Sequence, residues 1–65
     1  MQNNIQELRK AKKLSQEEVA KLCNVTRQTI NAVENNKYDP SLSLAFALAD
    51  ILETTVDELF KPEKN

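Results

Sequence analysis

The stretch Ser15–Asn35, SQEEVAKLCNVTRQTINAVEN, decides the fold, because its signals fit two short helices joined by a very tight turn. Ser15 followed three residues later by Glu18 reads as a capping box, in which each side chain satisfies a backbone N–H that the first helical turn leaves without an intrahelical partner. Val19, Ala20 and Cys23 then fall on one inward face, and Ala20 is small enough to let a second helix approach. Asn24 breaks the pattern. Among residues with a side chain, Asn best tolerates left-handed backbone, so it can end one helix and redirect the chain within about three residues. Thr26 caps the next helix, whose Ile30 and Val33 point back to the core. Arg27, Gln28 and Asn31 are left together on the opposite face, near the helix start. Their paired donors and acceptors are the ones that fit guanine and adenine edges in the major groove of a duplex.

Outward from this stretch the chain predicts a helix over Asn4–Lys13 with Ile5, Leu8 and Ala11 inward, a second over Gln16–Cys23 and a third over Arg27–Asn35. Asn35-Asn36 supplies another left-handed stop, and Lys37-Tyr38-Asp39-Pro40 forms a loop. Ser41 caps a fourth helix running to Leu52, and Thr55 with Glu58 opens a last short one ending at Phe60. Pro62 stops the regular structure, which gives one domain with a core over 5–60 and a short tail over 61–65. No repeat, linker or low-complexity stretch interrupts it.

The fourth helix, LSLAFALADIL, is apolar over more than one stripe. Leu42, Ala45, Phe46, Ala49 and Leu52 make one face, and Leu44, Ala47, Leu48 and Ile51 make a second. One face can pack on the first three helices. The other needs Val56, Leu59 and Phe60 of the last helix, or another chain; Leu44, Leu48 and Ile51 are accordingly the candidate dimer seam.

Composition sets the bounds. With 65 residues the chain buries only about 60% of its unfolded surface, so oligomerisation would add materially to its stability. The absence of Gly, two Pro and the lack of period-2 alternation make it all-α. A single Cys and no His exclude an intrachain disulfide and a soft-metal constellation, leaving Cys23 as a small core hydrophobe. Nothing resembles a signal peptide or an apolar run of the ~20 residues that span a bilayer, so the expected location is cytoplasmic. A net charge of −1 hides a division: residues 1–38 carry seven basic and four acidic groups, residues 39–65 two basic and six acidic. A phosphate backbone attracts the first part and repels the second, which orients the domain.

Through LSQEEVA, VTRQTINAVEN, DPSLSLA and DELF, over roughly Ile5–Phe60, the chain resembles the phage Cro/repressor-type helix-turn-helix family, also called XRE. The resemblance implies a five-helix lambda-repressor-like bundle that binds pseudo-palindromic operators as a homodimer, usually to repress transcription. It further implies that Arg27 and Gln28 read bases with help from Asn31, and that Gln16, Thr26, Asn35 and Lys37 approach the sugar-phosphate backbone. Arg9 and Glu34 match an ion pair linking the first helix to the end of the third. The family usually has Gly where this chain has Asn24, Asn36 and Glu53. Glu suits left-handed backbone poorly, which predicts an altered turn between the last two helices. Ala32 replaces another base-contacting position and can offer only a thymine methyl an apolar contact.

Two function classes remain. The first is a sequence-specific regulator on a double-stranded DNA operator; the second is a protein-interaction module of the same fold, an antitoxin or adaptor working through the fourth helix or the acidic C-terminal part. The Arg, Gln and Asn face beside a basic rim favours DNA. Catalysis lacks parts: there is no His, no nucleophile paired with a base and no phosphate-cradling Gly loop. No cofactor and no small-molecule effector are expected, since the chain has no room for a second domain.

Overall fold

The computed structural model describes residues 1–61. Among them are five helices, α1 (Ile5–Ala11), α2 (Gln16–Cys23), α3 (Arg27–Glu34), α4 (Leu42–Ile51) and α5 (Val56–Leu59), and two short strands, β1 (Gln2–Asn3) and β2 (Phe60–Lys61). Side-chain capping sets four of the starts. Ser15 and Glu18 form the reciprocal box, while Thr26, Ser41 and Thr55 accept from the backbone N–H of Thr29, Leu44 and Glu58. At α1 the cap comes one residue early. Asn4 makes no side-chain cap bond, and Asn3 Oδ1 accepts from Ile5 N at 3.0 Å instead.

The core gathers one stripe from each helix. Ile5, Val19, Ile30, Leu48 and Leu59 have no exposed surface, and Val33, Leu52, Ala20 and Ala49 have almost none. Leu8, Leu14, Cys23, Val25 and Val56 pack against them, half-buried. Burying an aliphatic side chain contributes about 1.5–3 kcal/mol, so this set is the main source of stability. Ala11 is exposed, because α1 ends there and the chain turns away through Lys13, at φ 58.

The dimer seam read from the sequence is corrected by this packing. Leu44 and Leu48, 7% and 0% exposed within the protomer, are core residues with no face to offer a partner, while Ile51 is half-buried and keeps part of its surface. The buried stripe of α4 is Leu44, Ala45, Leu48, Ala49 and Leu52, which takes members from both apolar faces. A helix apolar nearly all round has no polar edge to mark its outside. Its exposed apolar residues are Leu42 and Phe46, 70% and 59% accessible.

Two further features depart from the sequence reading. β1 and β2 pair antiparallel, Gln2 with Lys61 and Asn3 with Phe60, so Lys61 belongs to a strand rather than to a tail. The stop expected at Pro62 lies outside the described residues. Glu53, for its part, keeps the left-handed turn that its side chain disfavours, at φ 56, as Asn24 and Asn36 do at 59 and 61. The turn is closed by its own backbone, where Thr54 N donates to Ala49 O at 2.9 Å, and from outside Lys12 Nζ reaches Glu53 Oε1 at 2.7 Å. That exposed ion pair holds the Glu53 carboxyl below the ordinary glutamate value.

Candidate nucleic-acid interface

The surface built by α2 and α3 starts from two capped helix N-termini and one very tight turn. Asn24 occupies the left-handed region, φ 59 and ψ 42, and Val25 N closes back on Ala20 O at 2.9 Å. Thr26 then starts α3 in extended backbone, with Thr26 Oγ accepting from Thr29 N at 3.2 Å. Thr29 Oγ lies 3.0 Å from the same hydroxyl. Both threonines are therefore engaged in starting the helix.

With Ile30 and Val33 fully buried on its inner side, α3 turns Arg27, Gln28 and Asn31 outward, all three exposed. Among the described residues, Arg27 and Gln28 make no side-chain hydrogen bond or ion pair, so their donors and acceptors face water. Lys37 is exposed beyond the far end of α3, after the left-handed Asn36.

Behind this face runs a polar network that fixes α3 to α1 and α2. Arg9 grips Glu34 with two bonds, Nε to Oε2 at 2.7 Å and Nη2 to Oε1 at 3.2 Å, and its Nη1 donates to Leu14 O at 2.9 Å. The two side chains are only 10% and 4% exposed. Gln16 Nε2 donates to Glu34 Oε1 at 3.1 Å, Asn31 Nδ2 donates to Gln16 Oε1 at 3.4 Å, and Asn35 Nδ2 donates to Asn31 O at 2.9 Å and Oδ1 at 3.3 Å. Five residues singled out from the sequence, Arg9, Gln16, Asn31, Glu34 and Asn35, thus form one connected set. Arg27, Gln28, Thr26 and Lys37 stand apart from it. No described side-chain donor or acceptor is buried without a partner.

Asn3 was not legible as part of this surface. From β1 its Nδ2 donates to Val33 O at 2.9 Å and to Asn36 Oδ1 at 3.0 Å, closing the C-terminal end of α3. Only the fold brings positions 3 and 33 together, and an Asn near a helix start announces nothing beyond a cap.

Two ionisable groups show shifted equilibria nearby. The Ser15 backbone and hydroxyl bonds hold the Glu18 carboxyl below its ordinary value, with help from Lys21, and burial pushes the Cys23 thiol up, away from the reactive thiolate. The described residues contain no group of three or more His, Cys, Asp or Glu able to hold a metal, and none of their helices is long and apolar enough to cross a membrane.

Comparison with known proteins agrees with this geometry. The helix-turn-helix family model HTH_3 matches residues 5–59. An uncharacterized HTH-type transcriptional regulator of Methanocaldococcus jannaschii, MJ0272, is 43% identical over 60 residues, 92% of this chain and 91% of its own length. Another HTH-type regulator, from Methanothermobacter thermautotrophicus, is 50% identical over 52 residues, 80% of this chain and 75% of its own. Among solved structures, the restriction-modification controller protein C.AhdI from Aeromonas hydrophila superposes with a TM-score of 0.80 at 38% identity, covering 88% of this chain and 86% of that one. With its capped α2–α3 unit, its buried stripe and a family match over nearly its whole described length, the chain belongs to the Cro/repressor-type (XRE) helix-turn-helix family of transcriptional regulators.

Proposed function

We propose that the protein binds a pseudo-palindromic operator in double-stranded DNA as a homodimer, with α3 in the major groove, and represses transcription by occupying the promoter. The observation that carries this is the pairing of an anchored back with an uncommitted front. Ile30, Val33 and the Glu34 network hold α3 in place, while Arg27 and Gln28 keep their bonding groups for an outside partner. Arg bidentate to guanine and Gln bidentate to adenine are the corresponding base contacts. Gln16, Thr26, Asn35 and Lys37 supply backbone contacts that set register. The likeness to a restriction-modification controller supports a regulatory role.

One domain spans only a few base pairs, so specificity calls for two half-sites about one helical turn, ~34 Å, apart. On α4 the apolar residues available for pairing the protomers are Leu42 and Phe46, beside a cleft of about 830 Å³ whose lining includes Phe46, Ala49, Val56 and Phe60. The same exposure supports a second reading, in which that face of α4 receives a different protein as an antitoxin or adaptor does.

A salt titration on the selected operator and on a scrambled duplex tests the proposal. Arg27→Ala and Gln28→Ala should lose about 1–3 kcal/mol on the operator and little on the scramble. Lys37→Ala should weaken both alike and flatten the slope of log affinity against log salt by roughly one unit. If both α3 variants fold and retain the full preference for operator, α3 is not the reader and the protein-interaction reading takes its place.

A further inference from the structure

Hydrogen-bond direction is fixed at one end of the network that backs α3. Arg9 is a permanent cation and only donates, and Glu34, gripped by it, is a carboxylate that only accepts. An amide facing that carboxylate must present its NH2 group, as Gln16 does at 3.1 Å. Its Oε1 is then left toward Asn31, which answers with Nδ2, and Asn31 Oδ1 in turn accepts from Asn35 Nδ2. Asn35 is itself held by the 2.9 Å bond to the Asn31 carbonyl. One charge on α1 therefore sets the polarity of three successive neutral amides, since turning one over would oppose oxygen to oxygen or NH2 to NH2.

Asn31 is exposed on the face it shares with Arg27 and Gln28. An amide has two N–H groups and two oxygen lone pairs, and Asn31 uses one of each inward. One N–H and one lone pair remain, in a fixed order. They match a base edge with an acceptor beside a donor, which is adenine N7 and N6–H2; guanine presents two acceptors and would oppose Oδ1. We infer that Asn31 is a specificity-determining residue for adenine, and that Gln16 and Asn35 are positioning residues that hold its amide in the reading orientation before DNA arrives. This rests on the proposed entry of α3 into the major groove, and adds which base one side chain takes and what orients it.

A bidentate amide–adenine contact discriminates about 5- to 150-fold. Ordering the side chain in advance accounts for about 2- to 12-fold of that, the equivalent of the cost of immobilising one rotamer-rich side chain on binding. The test is selection of duplexes from a randomised pool by the full chain, scored position by position, for wild type, Asn31→Ala, Asn31→Asp and Gln16→Met. Circular dichroism melts establish that each variant folds. Wild type should select adenine at one position of each half-site that Asn31→Ala alone makes indifferent, with the preferences set by Arg27 and Gln28 intact. Asn31→Asp, which keeps the acceptor and loses the donor, should move that position toward cytosine. Gln16→Met, similar in length but without the amide, should weaken the adenine preference there about 2- to 12-fold; the phosphate contact proposed for Gln16, lost with it, lowers all sequences alike and leaves that preference untouched. An adenine preference that survives Asn31→Ala overturns the assignment, and one unchanged in Gln16→Met overturns the positioning role. A wild type that selects no sequence at all brings down the proposed function itself.

Discussion

Replacing Glu34 by Gln removes one charge from an ion pair that water barely reaches. Exposed pairs contribute about 0–1 kcal/mol, whereas breaking a buried one from a single side costs about 3–5 kcal/mol because the surviving charge is stranded. The side-chain exposures of 10% for Arg9 and 4% for Glu34 place this pair at the buried end. Arg9 would keep only its bond to the Leu14 carbonyl and whatever a neutral amide accepts. A chain of 65 residues has roughly 3–10 kcal/mol of total stability, so the loss takes away about 30% of it or more. At about 4–8 °C per kcal/mol, Glu34→Gln should lower Tm by at least ~12 °C, and urea unfolding should show a lower midpoint at unchanged slope. The double variant Arg9→Met/Glu34→Met, which strands nothing, should recover most of the loss. The reasoning is refuted if Glu34→Gln melts within ~2 °C of wild type.

Leu48→Ala, at a fully buried site, should cost about 2–5 kcal/mol in denaturant unfolding, while Phe46→Glu, at a 59% exposed one, should leave Tm nearly unchanged and weaken operator affinity and self-association in sedimentation; the reverse pattern would restore a seam through Leu48. The lowered carboxyls of Glu18 and Glu53 stabilise the fold above the ordinary glutamate value of 4.5, and that contribution is lost as pH falls through their lower native values. Melts across pH 3–6 should therefore decline less steeply for Glu18→Gln and Glu53→Gln than for wild type, and parallel curves would contradict it. Lys13→Gly, at φ 58, relieves left-handed strain of roughly 1–2 kcal/mol against an unfolded-state entropy cost of roughly 0.5–1, so a Tm raised by a few degrees is expected, and a lowered one counts against strain there.

Local chemistry was legible in the residues themselves, whereas of the long-range side-chain contacts only the Arg9–Glu34 pair was, and that through the family resemblance. Ser15, Thr26, Ser41 and Thr55 could be read as caps because the group each one satisfies lies three residues away. Asn24 and Asn36 signalled left-handed turns by residue type, but Lys13 and Glu53 adopt the same backbone with side chains that give no sign of it. There the surrounding fold overrides local preference, and Lys12 fixes Glu53 from a distant position. The inner face of α4 was misassigned because nothing polar separates its two apolar rows. The outward set Arg27, Gln28 and Asn31 follows from helical period alone. The bond from Asn31 to Gln16 does not, since that depends on how α2 and α3 cross.

The pairing of β1 with β2 has a kinetic consequence. It joins positions 2 and 61, so forming it closes a loop of nearly the entire described chain, at an entropic cost on the order of 3–4 kcal/mol, whereas the capped α2 and α3 assemble from neighbours. Should the clasp close after the folding barrier, weakening it hastens unfolding more than it slows folding. Asn3, within that pairing, also holds the Val33 carbonyl and Asn36. Opening the clasp therefore releases two of the bonds that close the C-terminal end of α3, and the amides there should exchange with solvent on that opening rather than on global unfolding.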